Sequence, residues 1–212
     1  MISREVNDIL SYFNEILKDA KCELNYTRDY ELVIAVMLSA QTTDKRVNEV
    51  TSVLFKEYNS LEKLNLASED DIERIIRPVG LSKNKAHHIK MIAKDLIEKF
   101  DGVVPSSKED LMSLSGVGNK TANVVRIELF KIPEIPVDTH IERISKRLKL
   151  ALPNDSVYEV EQKLRRKFPK ETYIKFHHQM IHFGRQICKA QKPICEQCKL
   201  QKYCSYYKAK NK

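Results

Sequence analysis

An all-α fold is the class this sequence predicts, and three observations carry it. Glycine is scarce, at five residues in 212, and turn-forming dipeptides are few. Apolar residues recur at i, i+3, i+4 and i+7 in one segment after another. No segment alternates apolar and polar side chains with the period of two that a half-buried strand needs. Ten or so helices are expected, in one large or two small domains. Hydrophobic residues, 42% of the chain, are enough for a real core.

The elements follow in chain order. Val6, Ile9, Leu10, Phe13, Ile16 and Leu17 mark an amphipathic helix. Asp29-Tyr30-Glu31 leads into an apolar run ending at Gln41; its length favours a buried helix over a strand. Thr42 or Thr43 is placed to cap the next helix, towards Tyr58. A short helix starts at Ser68-Glu69-Asp70-Asp71 and is stopped by Pro78 and Gly80. Ile89, Ile92, Ala93, Leu96, Ile97 and Phe100 mark another, ended at Asp101-Gly102 and kept from restarting by Pro105. Ile141, Ile144 and Leu148 define a later helix, and Val157, Val160, Leu164 and Phe168 one more. No internal repeat, low-complexity tract or long linker interrupts the series.

The charge balance, 37 Lys plus Arg against 29 Asp plus Glu, gives +8. A surplus of this size suits a polyanionic partner such as nucleic acid, although a lysine-rich solvated surface gives the same balance. The N-terminus mixes charges into its first ten residues and has no apolar signal region. The longest apolar stretch, Leu32 to Leu38, is far short of a membrane span. A cytoplasmic protein is expected.

Residues 114–121 read Leu-Ser-Gly-Val-Gly-Asn-Lys-Thr. Two glycines at i and i+2 permit a tight turn and close backbone approach. The helix that follows points its first free N–H groups into that turn, and its macrodipole adds partial positive charge. Backbone alone thus makes an anion site suited to a DNA phosphate. The pattern matches a helix-hairpin-helix element, with one helix ending at Met112-Ser113-Leu114 and the next beginning at Asn119. An ordinary interhelical turn is the plainer reading.

Lys120 is the unusual member. Ala122, Val125 and Leu129 form the core face of the new helix, and Lys120 projects roughly opposite it. A cation in a first helical turn is disfavoured by the dipole. That field, with partial desolvation, lowers an amine's pKa and makes it a nucleophile able to form Schiff bases. The plainer reading is a phosphate-contacting lysine. Asp138, just before the helix of Ile141, is an N-cap aspartate; a carboxylate there can also serve chemistry. His140, His177, His178 and His182 read as structural histidines.

Four of the five cysteines, Cys188, Cys195, Cys198 and Cys204, sit near the C-terminus as C-x6-C-x2-C-x5-C. In a reducing cell such thiolates are metal ligands. Spacing alone leaves zinc and iron–sulfur open. Zinc sites of four cysteines usually use two Cys-x-x-Cys knuckles, and only Cys195/Cys198 forms one, which tilts the choice towards [4Fe–4S]. Lys189 and Lys192 lie in the six-residue loop between the first two ligands and are expected to contact backbone phosphates. Cys22 reads as a small core residue.

The order LSGVGNKTANVV, then Val137-Asp138-Thr139-His140, then the four cysteines resembles the endonuclease III family of helix-hairpin-helix DNA glycosylases. The resemblance runs from Glu23-Leu24-Asn25 through Met37-Leu38-Ser39-Ala40-Gln41-Thr42-Thr43-Asp44, Val79-Gly80-Leu81 and His182-Phe183-Gly184-Arg185 to Cys204. It implies two helical domains: a bundle over residues 24–132, with the helix-hairpin-helix at about 108–130, and an iron–sulfur domain of residues 1–23 plus 133–212. It implies that DNA and the active site lie between them, with a [4Fe–4S] cluster on the four cysteines. It also implies a monomeric base-excision-repair enzyme that acts on double-stranded DNA containing damaged pyrimidines or abasic sites and is associated with the nucleoid through DNA. In that mechanism the damaged pyrimidine is flipped out of the duplex. Gln41 and Leu81 fill the gap in the stack. Lys120 attacks the sugar C1′ and displaces the base, and Asp138 assists. The Schiff base permits β-elimination, and the backbone at Gly116 and Gly118 holds a phosphate.

Two positions depart from the family's common pattern. Ser115 stands where many members have Pro, which is expected to loosen the turn. Asn119 stands where many have Arg, which removes a charge beside Lys120. Two rival readings remain. A monofunctional adenine-mismatch glycosylase shares the hairpin and cysteines, but typically lacks the lysine and carries an extra C-terminal domain. A non-catalytic helix-hairpin-helix DNA-binding module with a four-cysteine zinc site would be colourless, whereas an iron–sulfur protein is yellow-brown.

Overall fold

The computed structural model describes residues 3–210. Twelve α-helices and no strands occur among the described residues. The chain forms two compact units, Glu23–Ile132 and Met1–Cys22 with Pro133–Lys212.

The Glu23–Ile132 unit is built around α2 (Asp29–Leu38). Every residue from Tyr30 to Leu38 is buried, so the apolar run is a core helix and not a strand. Full burial of each such aliphatic side chain stabilises by about 1.5–3 kcal/mol. The Glu31 carboxylate fixes its start, accepting from the Thr27 and Arg28 N–H groups at 2.7 and 3.1 Å. Helix α3 (Asp44–Glu57) is capped by Thr43, whose hydroxyl accepts from the Arg46 N–H at 3.3 Å.

Two short helices, α4 (Leu61–Leu66) and α5 (Glu69–Ile76), pack on the long α6 (Ser82–Phe100). Ser68 caps α5, and a 3-10 turn at Arg77–Val79 absorbs Pro78. Helix α6 stops where Asp101 and Gly102 both take positive φ and the Gly102 N–H bonds back to Leu96 O at 2.8 Å. Helices α7 (Lys108–Ser113) and α8 (Asn119–Phe130) form the hairpin, with α8 packed on α2.

The other unit packs α1 (Arg4–Ile16) and α9 (Thr139–Arg147) on α11 (Tyr173–Gln186), with α10 (Val157–Lys167) beside α9. Its aromatic centre holds Phe13 5.0 Å from Phe183, and Phe168 stacked 4.0 Å from Phe176. A short α12 (Ser205–Lys210) follows the cysteines.

Sequence patterning passes over α4, α11 and α12. Two of them are only six residues long. Helix α11 hides its period because His177, His178 and Gln179 are buried alongside Phe176 and Met180. Cys22 is half-buried rather than a core residue.

Candidate active site and cysteine centre

In the first unit, the hairpin turn places Gly116 at φ +75, a conformation that a side chain makes costly. Gly116 also lies against His88 of α6. A Cβ there would come within 2.8 Å of the His88 ring. The His88 Nδ1 meets the Ser115 hydroxyl at 2.9 Å. Ser115 therefore does not leave the turn loose: its hydroxyl tethers the hairpin to α6. Burial holds the His88 imidazole pKa down, with His87 adding to the effect.

Gly118, the N-cap of α8, has extended backbone and open space around it. No side chain caps the first turn, so the early N–H groups of α8 have no capping partner there. Lys120 follows in that turn and is exposed. Ala122, Asn123 and Val125 take the buried face, so the helix turns the lysine away from the core. Exposure means that the lysine's own surroundings do not supply the expected desolvation.

Gln41 and Leu81 are both exposed and both have positive φ, 61 and 50. They occupy the ends of two neighbouring loops. Gln41 follows α2 by three residues, and Leu81 immediately precedes α6. Lys85 joins these loops, giving hydrogen bonds to Leu38 O, Ala40 O and Val79 O at 3.0, 2.8 and 3.1 Å.

In the second unit, Asp138 is the N-cap of α9, and its Oδ1 accepts from the Ile141 N–H at 2.8 Å. It is half-buried. His140 Nδ1 lies 3.1 Å from Nη2 of the Arg143 guanidinium. Burial keeps the His140 pKa down, against a raising influence from Asp138. Gly184 lets α11 approach this ring, for a Cβ there would sit 2.8 Å from it.

The four cysteines line one cavity with Leu148, Phe183, Ile187, Pro193 and Ile194. Burial raises the thiol pKa of Cys188, and pushes that of Cys198 up to about 11. Buried thiolates need compensating positive charge, which a bound metal centre supplies. N–H donors converge on three of the sulfurs. Arg147 Nη1 reaches Cys188 Sγ at 3.3 Å, the Tyr207 amide reaches Cys204 Sγ at 3.4 Å, and the Leu200 backbone bonds Cys198. Hydrogen bonds to sulfur are the usual surroundings of cluster thiolates.

Lys189 and Lys192 are exposed on the loop between the first two cysteines. That loop is held from α9. Arg147 donates to Lys189 O and Ala190 O at 2.8 and 3.0 Å, and Arg143 Nη2 donates to Cys188 O at 3.0 Å. Lys85, His88, Arg143 and Arg147 carry no motif. Lys85 had one legible signal: it stands four residues before Ile89, on the core-facing stripe of α6.

The sequence model described as the HhH-GPD superfamily base excision DNA repair protein matches residues 34–170. The chain belongs to that superfamily. Endonuclease III of Bacillus subtilis is 44% identical over 201 residues, spanning 95% of this chain and 92% of the relative. Endonuclease III of Escherichia coli is 38% identical over 199 residues, spanning 94% of each. A solved chain from a trapped endonuclease III–DNA covalent intermediate superposes with a TM-score of 0.95 at 43% identity, covering 100% of both chains. A chain from a non-covalent endonuclease III–DNA complex also gives 0.95 at 43%, covering 100% of this chain and 99% of that one. The superfamily fold, with its helix-hairpin-helix, matches the all-α reading of the sequence.

Proposed function

We propose that this superfamily member is a bifunctional DNA glycosylase and abasic-site lyase that removes oxidised pyrimidines from duplex DNA. The full-length likeness to an endonuclease III chain trapped covalently on DNA carries the reading, because this chain presents an exposed lysine, Lys120, at the head of the hairpin helix.

The base is reached by flipping the nucleotide out of the stack. Gln41 and Leu81 occupy the gap. Their exposure and paired left-handed backbones support that role. The Lys120 amine, as a free base, attacks C1′ of the sugar. A C–N bond forms and the glycosidic bond breaks, and the base leaves with its electron pair and takes up a proton. Asp138 accepts the lysine's proton and stabilises positive charge developing on the sugar. The sugar ring opens to a Schiff base. Loss of a C2′ proton then expels the 3′ phosphate oxygen and nicks the strand 3′ to the lesion. The hairpin backbone at Gly116 and Gly118, with the uncapped first turn of α8, holds a neighbouring phosphate. Lys189 and Lys192 add sequence-independent phosphate contacts.

Cys188, Cys195, Cys198 and Cys204 would hold a [4Fe–4S] cluster. The shared cavity and the N–H donors to sulfur fit a thiolate-held centre, and the uneven C-x6-C-x2-C-x5-C spacing favours a cluster over zinc. When bound, the cluster supplies structural closure and a redox-sensitive centre, while bond cleavage rests on the side chains. The chain's own residues hold the cysteine loop to α9 through Arg143 and Arg147.

Borohydride reduction in the presence of thymine-glycol duplex should give a covalent protein–DNA adduct, which Lys120→Ala should abolish. A zinc-binding, non-catalytic module gives no adduct and a colourless protein. A monofunctional adenine-mismatch enzyme gives base release without the adduct.

A further inference from the structure

Lys85 lies in the first turn of α6, yet it is only 4% exposed. An ammonium has three N–H bonds to give, and three carbonyls take them: Leu38, Ala40 and Val79. Leu38 is the last residue of α2, and Val79 the last of the 3-10 turn. Carbonyls at helix ends lack intrahelical partners and carry partial negative charge. One cation therefore closes two chain ends that are 41 residues apart in sequence (79 − 38). The same residue's N–H donates to Leu81 O at 3.0 Å.

The placement of those carbonyls matters. Ala40 immediately precedes Gln41, and Val79 stands two residues before Leu81. Both Gln41 and Leu81 hold positive φ, which costs a residue with a Cβ roughly 1–2 kcal/mol and persists only where the surroundings impose it. Neither residue is a glycine, although Gly80 at φ +70 precedes Leu81, and Leu81 is the N-cap of α6 with no side-chain cap.

We propose that Lys85 is a positioning residue that locks these two loops together, so that Gln41 and Leu81 enter the base stack as a pair. The proposal rests on the reading of Gln41 and Leu81 given above. Lys85 acts through them from below the surface. Its partners are carbonyls of the protein, so it has no donor left for a phosphate.

A double-mutant cycle in the full-length protein tests this. The variants are Lys85→Met, which keeps length and removes the donors, the pair Gln41→Ala/Leu81→Ala, and all three together. Three quantities are read for each: affinity for undamaged duplex, affinity for a duplex carrying a tetrahydrofuran abasic-site analogue, and single-turnover release of thymine glycol. Lys85→Met should lower the preference for the analogue and the single-turnover rate roughly tenfold. Affinity for undamaged duplex should stay within about twofold, which general unfolding would not allow. In the Gln41→Ala/Leu81→Ala background, Lys85→Met should cost nothing further.

A wild-type preference in Lys85→Met overturns the proposal. So does an equal loss in both backgrounds when the alanine pair is itself defective, and in that case the reading of Gln41 and Leu81 stands. An alanine pair that behaves as wild type overturns that reading and the proposal together. If Lys85→Met does not fold, Lys85→Gln, which keeps an amide donor, takes its place in the same cycle.

Discussion

The two hairpin glycines predict unequal outcomes for the same substitution. Gly116→Ala adds a Cβ at φ +75 and drives it to 2.8 Å from Cγ of His88, 3.0 Å from Cδ2 and 3.2 Å from Cβ. The left-handed backbone costs about 1–2 kcal/mol. The contact is with the root of a ring tethered to Ser115, and such overpacking costs a further ~1–3 kcal/mol. A loss of about 2–5 kcal/mol should appear as a fall in Tm of roughly 4–20 °C for a chain of this size. Gly118→Ala meets nothing within 4 Å and has φ −92, so only the poorer N-cap, about 0.5–1 kcal/mol, should count and Tm should fall by roughly 1–4 °C. Differential scanning fluorimetry on both variants gives the comparison, and filter binding to undamaged duplex gives a second reading. On the proposed phosphate site, Gly118→Ala should still weaken DNA binding, because its new methyl group would crowd the approach to the backbone. Equal Tm values for the two variants would refute the assigned packing of Gly116 on His88. Unchanged DNA affinity in Gly118→Ala would refute the phosphate site.

Other substitutions separate chemistry from architecture. Asn caps a helix about as well as Asp; Asp138→Asn should therefore keep Tm within a few degrees while base release falls at least tenfold, and a collapse in Tm would leave Asp138 only its capping role. Gly184→Ala forces a Cβ onto His140 and should destabilise by ~1–3 kcal/mol, read by chemical denaturation. His88 and His140 both have folded-state pKa values depressed by burial, so the unfolded chain binds their protons first. Stability contributed by their neutral forms is complete above about pH 6.5 and is lost as pH falls below it; a flat stability profile from pH 7 to 5 would contradict this. Arg147→Ala removes the donor to Cys188 Sγ and two loop carbonyls, and should speed bleaching of the visible cluster absorbance and weaken affinity for all duplexes alike.

The sequence made the helical class legible because most helices bury a regular stripe. Ile9 and Phe13, or Ile89, Ile92 and Leu96, are core residues at the spacings that first marked them. Caps were legible too, since Thr43, Ser68 and Asp138 each accept an N–H where their residue type suggests it. Helix α11 was not, because polar residues buried on several sides erase its period. Of the candidate site residues, Lys120, Asp138, the glycines and the cysteines were legible because each carries a motif. What supports them was not. Lys85 answers to three backbone carbonyls that converge only after folding, and such acceptors leave no trace in residue identity. The Ser115–His88 tether is the same kind of case: 27 residues separate its partners, and it reverses the looseness that a missing proline implied.

The central claim is that Lys120 is the nucleophile. The direct measurement is to reduce the enzyme with borohydride on thymine-glycol duplex, digest the adduct and locate the modified residue by mass spectrometry. A reduced sugar adduct on Lys120 is expected, with no trapped species from Lys120→Ala. An adduct on another residue, or undiminished trapping by Lys120→Ala, would contradict the claim.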